Sequence, residues 1–134
     1  MRESAPISQL LYVSRLAPGM AVGVVKDIVR AARRHNPARS ITGALLFNGD
    51  HFCQLLEGPP EHVRELKQRI TDDRRHTDMR VHFEGVSSHP ARLALRWRSG
   101  YCEPAAFDAF EPLDAPGAGA IGVFLRLMRE ADLE

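Results

Sequence analysis

The chain has 134 residues, 44% of them hydrophobic and 26% charged, with a formal net charge of +1. That length fits one domain with a real core and is too short for two. The balanced charge carries no nucleic-acid footprint, since "RAARR" and "DDRRH" are short and fit solvated helix ends.

The start "MRESAPISQ" has no apolar signal core, and no stretch approaches membrane length. "ISQLLYVSRL" then reads as a strand apolar on both faces, hence central in a sheet. "APGM" breaks it, and a helix is predicted from about Met20 to His35. Its stripe is Val25, Ile28, Val29 and Ala32, and Pro37 stops it at Asn36. "SITGALLFNGDHFCQLLEG" predicts a hairpin, Ile41 to Phe47 and His51 to Glu57, about an Asn48-Gly49 turn. Gly58-Pro59-Pro60 opens a second helix with the stripe Val63, Leu66 and Ile70, ending near Asp73. A fourth strand is expected over about Met79–Val86 and a fifth in "LALRWRSGY". The tail holds a helical turn or two, a Pro/Gly linker, and a helix from about Ala118 to Glu130 with Ile121, Phe124, Leu125 and Met128 as its stripe.

The order β-α-β-β-α-β, with an extra strand and a tail, predicts an α+β, ferredoxin-like sheet of about five strands with two helices on one face. Residues 1–102 form the expected domain and 103–134 a C-terminal helical extension. The tail's stripe has no place in that two-layer core, so it covers either the sheet's other face or a partner, a second copy included. Cys53 and Cys102 make no metal spacing; a reduced thiol, no metal and a cytoplasmic location are expected.

Tyr12, Gln54 and Trp97 are the large polar-capable residues in three otherwise apolar strands. If their faces coincide, a phenol, an amide and an indole look toward the helices, where Ile28, Ala32, Asn36 and Ile70 stand opposite. Such a slot suits a planar heterocycle with its own donors and acceptors, and a Gln amide donates to one partner while accepting from another. Each residue also has a plain structural reading. Tyr12 and Trp97 fit core packing, Asn36 fits a helix end, and Gln54 fits an edge strand open to water. An amide buried there without a partner would cost about 1–3 kcal/mol.

"LLYVSR", "RHNPARSITGALLFNGDHFCQLLEG" and "QRITDDRRH" resemble the BLUF domain, the blue-light sensor that uses flavin, in order and spacing over about residues 7 to 102. The resemblance implies a noncovalently bound flavin, FAD with FMN as the other choice, whose ring lies between the two helices. Tyr12 then matches the photoactive tyrosine and Gln54 the switching glutamine. Asn36 and His35 match positions at the ring's polar edge, Ile28, Phe52 and Ile70 ring-packing positions, and Arg69 a flavin-contacting arginine. Arg75 and His76 match a common Arg-His pair without a firm role. The implied cycle has light excite the flavin and Tyr12 lend it an electron and a proton. The Gln54 amide rotates or tautomerises meanwhile.

Many family members carry a methionine where this chain has Ser99, two residues after Trp97, which leaves the relay through Trp97 and Ser99 the least secure step. With no output domain expected after residue 102, a short stand-alone sensor would signal to a separate effector protein or by a change of assembly. Two other readings stand beside it. One is a BLUF-like protein-binding scaffold without photochemistry, for which Ser99 speaks. The other is an acylphosphatase-like hydrolase, against which "SRLAPGMAVG" offers one arginine and no glycine cluster. Neither nucleic acid nor membrane is an expected partner.

Overall fold

The computed structural model describes residues 6–87, 98–110 and 118–133. The strands are β1 (Ile7–Leu16), β2 (Thr42–Phe47), β3 (His51–Gly58), β4 (His76–Ser87), β5 (Arg98–Tyr101) and β6 (Asp132–Leu133). The helices are α1 (Val24–His35), α2 (Pro60–Asp72) and α3 (Ala118–Glu130), with short 3-10 helices at Pro37–Arg39 and Ala106–Phe110. The strands form one mixed sheet in the order β4-β1-β3-β2-β5-β6, antiparallel except where β2 runs parallel to β5. The crossover through α1 skips β3 and the one through α2 skips β1, which gives the ferredoxin-like arrangement the element order predicts.

β1 and β3 occupy the middle of the sheet, and their residues are buried on both faces. On the near face, under α1 and α2, two apolar clusters form. Val25, Val29, Leu45, Phe47 and Phe52 make one. Leu10, Tyr12, Ile41, Leu56 and Val63 make the other. On the far face Leu11, Leu46, Cys53 and Leu55 pack against Phe107, Phe110, Ala120, Phe124 and Leu127. The tail's stripe therefore covers the other face of this chain's own sheet. Its deepest positions are Ala120, Phe124 and Leu127, with Ile121, Leu125 and Met128 flanking them, a rotation from the predicted stripe.

Some boundaries differ from expectation for local reasons. α1 begins at Val24 rather than Met20, because Gly19 takes a φ of +84° and successive i to i+3 bonds from Ala21 to Gly23 lead into the helix. The hairpin turn places Gly49 alone at positive φ (109°). Asn48 closes it instead with its side chain, Oδ1 accepting from the backbone N–H of His51 at 2.8 Å and Nδ2 donating to the Pro104 carbonyl at 2.8 Å. β4 starts at His76, earlier than its half-exposed, poorly alternating sequence implied, and its register against β1 shifts at two places. The expected strand residues before Arg98, Trp97 among them, lie outside the described residues. β6 is two residues long, too short to leave a pattern.

Candidate functional site

Tyr12 and Gln54 face each other directly across β1 and β3. The register continues on both sides, so Val81, Tyr12, Gln54, Leu45 and Ser99 form one row across five strands. The row lies on the near face, and the Tyr12 hydroxyl donates to Gln54 Oε1. Burial pushes the Tyr12 phenol well above its ordinary ionisation range, and the neighbouring Cys53 and Asp73 push it further. Tyr12 is thus a neutral donor at physiological pH. Cys53, behind the row on the far face, is held as a thiol by burial and by Cys102.

The two near-face clusters do not merge. Between them, under α1 and α2, runs a cleft of about 220 Å³. It brings together Tyr12, Ile28, His35, Asn36, Phe52, Gln54, Arg69 and Ile70. Phe52 is buried at its base, Ile28 and Ile70 form half-buried walls from the two helices, and His35 and Arg69 lie exposed at the mouth. Ser99 lies outside this cleft, separated from Gln54 by Leu45 in the row. Trp97 falls outside the described residues.

Asn36 is fixed by its backbone. Its N–H donates to Ala32 O at 2.9 Å, and its carbonyl accepts from Arg39 and Ile41 at 3.0 Å each. Pro37 forces the change from α1 to the 3-10 turn at this residue, and Ser40 closes the turn in the left-handed region. The Asn36 side chain, 4% exposed, makes no hydrogen bond among the described residues. Gln54, 5% exposed, has Tyr12 as its one hydrogen-bond partner there, which leaves its amide nitrogen unmatched. Neither amide is a fully buried orphan, since Ser14 Oγ alone has that standing among the described residues; both open on one apolar cleft with capacity that a ligand supplying donors and acceptors can take up.

Arg39, Asp73, Arg75 and His76 complete the mouth of the cleft. Asp73 takes a forked pair of bonds from Arg75, Nε at 2.9 Å and Nη2 at 2.6 Å, and that hydrogen bonding holds its carboxyl below the usual range. His76 Nε2 donates to the Ile70 carbonyl at 2.5 Å, and its ring lies 6.1 Å from that of Tyr12. His62 Nδ1 donates to the Arg39 carbonyl at 2.6 Å and ties α2 to the turn after α1. Sequence reading treated "DDRRH" as a solvated helix end and missed Arg39 and Asp73. The spacing of Asp73 and Arg75 at the end of α2 was the available signal.

Residues 7–97 match the family model for BLUF, sensors of blue light using FAD. The chain belongs to the BLUF family. It is a blue-light-sensing domain, and the names of curated relatives refer to regulation by light. The blue light- and temperature-regulated antirepressor BluF of Escherichia coli (strain K12) is 41% identical over 70 residues, 52% of this chain and 17% of that protein. Photoactivated adenylate cyclase subunit beta of Euglena gracilis is 41% identical over 73 residues, 54% of this chain and 8% of that subunit. The chain thus spans less than a fifth of either relative's length. The dark-state structure of the BLUF protein BlrB superposes with a TM-score of 0.74 at 28% identity, covering 92% of this chain and 96% of that one. Among the described residues no helix is long and apolar enough to cross a membrane.

Proposed function

We propose that the cleft binds a flavin, FAD by the family's description, and that the chain is a light-driven regulator of a separate effector protein rather than a turnover enzyme. The observation that carries this reading is the convergence of two amides, Asn36 and Gln54, on a slot walled by Ile28, Phe52 and Ile70, with hydrogen-bonding capacity left over on both. A cleft of 220 Å³ falls below the ~300–1,000 Å³ of sites that enclose a whole drug-sized ligand. It suits a planar ring, with the polar remainder of the cofactor outside, beside Arg39, His35 and Arg69. FMN and FAD share that ring, so the cleft alone fits both.

The bound flavin would supply blue-light absorption and the capacity to take up an electron and a proton. Tyr12 is the donor of both, its proton retained by burial until the transfer and regained afterwards. Gln54 is the switch. Turning its amide end for end puts Nε2 where Oε1 accepts from Tyr12, so the hydroxyl must change from donor to acceptor. The oxygen then faces the ligand, and two nearly isosteric arrangements carry opposite hydrogen-bond patterns. Leu45 and Ser99 continue the row and form the nearest described route away from Gln54, and Trp97, two residues before Ser99 in the sequence, is its proposed continuation. The antirepressor's name supports control of another protein as the output, and the cyclase subunits' names support light control of an enzymatic activity.

Purified protein loaded with FAD tests the reading by absorption spectroscopy before and after blue light. The expected result is a flavin band that shifts to the red and recovers in darkness. Tyr12→Phe and Gln54→Leu each abolish the shift while flavin stays bound. A protein that takes up no added flavin overturns the proposal.

A further inference from the structure

A second cavity, about 270 Å³, opens on the opposite flank of α1, between that helix and β5. Its floor is Leu45, Phe47 and the small Ser99 and Gly100, and the buried side of α1 forms one wall. Tyr101 forms another, 39% exposed, with its ring edge-on to Phe47 at 6.2 Å and 75°. The rim is cationic. Lys26 and Arg30 lie one turn apart along one side of α1, and Arg33, which has a partner of its own, follows them. The acidic residue of that helix, Asp27, makes a 3.8 Å contact with Arg30 in which both side chains are mostly exposed, too weak a pair to cancel the field.

We propose that this cavity is a docking socket for one large apolar side chain, preferably aromatic, on an acidic segment of the effector protein. The inference rests on the reading that the chain signals to a separate partner. At about 270 Å³ the cavity has room for one compact apolar group. It is the scale of a single anchoring side chain, the usual centre of a protein interface. The basic rim supplies charge complementarity to the residues flanking that anchor. Placement connects the socket to the switch. Leu45 lines both cavities, and Ser99 on the socket floor stands two strands from Gln54, about 10 Å by strand spacing.

The test uses the full chain loaded with FAD and a fluorescein-labelled peptide holding one tryptophan between two runs of glutamate, read by anisotropy. The expected result is saturable binding that weakens about tenfold or more when the tryptophan becomes serine. Ser99→Met, which fills the floor, and the exposed pair Lys26→Glu with Arg30→Glu each weaken it by a similar factor. The charge-reversed variant keeps its flavin band and light-induced shift, which separates failure of the socket from failure of the photoreceptor reading. Equal affinity for the serine peptide overturns the proposal, as bare polyanion attraction then suffices. So does indole-3-acetate competing at the peptide's own concentration, which marks a small-molecule site. Where Ser99→Met protein does not hold flavin, the charge-reversed variant and the serine peptide decide.

Discussion

The two faces of the sheet are made from alternate residues of the same strands, and they are packed in different ways. On the far face Leu11, Cys53 and Leu55 join the tail's aromatic residues in one continuous cluster. Its central polar pair is matched, Gln9 Nε2 donating to Glu57 Oε2 at 2.6 Å. On the near face Tyr12 and Gln54, each one residue away along the chain, sit between two separate clusters with a cleft dividing them. A shift of one residue in strand register would exchange these roles. The far face holds the fold together, while the near face leaves its core incomplete where a planar ligand fits.

The comparison breaks first at Phe124, which is fully buried at the centre of the far-face cluster. Phe124→Ala is expected to cost about 3–5 kcal/mol in a denaturant titration, through lost burial and the cavity left behind. A loss under about 1 kcal/mol would mean that α3 is not part of the cooperative core. The near face is expected to respond to its ligand instead. Removing the flavin lowers stability, and adding FAD back at about one hundred times its Kd restores about 2.7 kcal/mol, seen as a rise in Tm. A Tm indifferent to FAD concentration would show that the two near-face clusters do not need what lies between them.

A sharper test separates the paired groups from their surroundings. In Tyr12→Phe the Gln54 oxygen loses its donor, and in Gln54→Leu the Tyr12 hydroxyl loses its acceptor, both at buried positions. Each single change is expected to cost about 1–3 kcal/mol, and the double variant less than the sum, because it leaves no orphan. Additive costs in the flavin-free protein would mean that the bond contributes nothing to the fold.

Strand alternation and helix stripes made much of this arrangement legible in the sequence. The apolar run on both sides of Tyr12 identified a central strand, the strand of Gln54 stayed open between a buried and an edge position, and the order of elements identified the fold. Strand parity brought Tyr12, Gln54 and Asn36 to one slot, and resemblance rather than spacing gave Asn36 and Gln54 their roles. Pairing register was not legible, because it is a relation between distant segments. No local pattern says that Tyr12 faces Gln54 or that Ser99 faces Leu45. The socket beside Ser99 was hidden for the same reason, since its walls come from α1, β2 and β5. The Asn48-Gly49 hairpin was legible, but not that the Asn48 side chain closes it, with Gly49 alone in the left-handed region.

The smallest effect is expected at Ser14, on the same face of β1 as Tyr12 and 1% exposed. Its Oγ is buried with no hydrogen-bond partner among the described residues, and it does not line the cleft. It faces Phe52 across β3, so the hydroxyl is removed from water without compensation from its cross-strand neighbour. Replacing it by alanine deletes one polar atom and leaves a gap smaller than a methyl group. Ser14→Ala is therefore expected to stabilise the protein by about 1 kcal/mol, which corresponds to a Tm about 2–6 °C higher for a domain of this size. The light-induced shift should not change. A lower Tm would show that the Ser14 hydroxyl finds a partner in solution, and would extend the polar row at Tyr12 and Gln54 along β1.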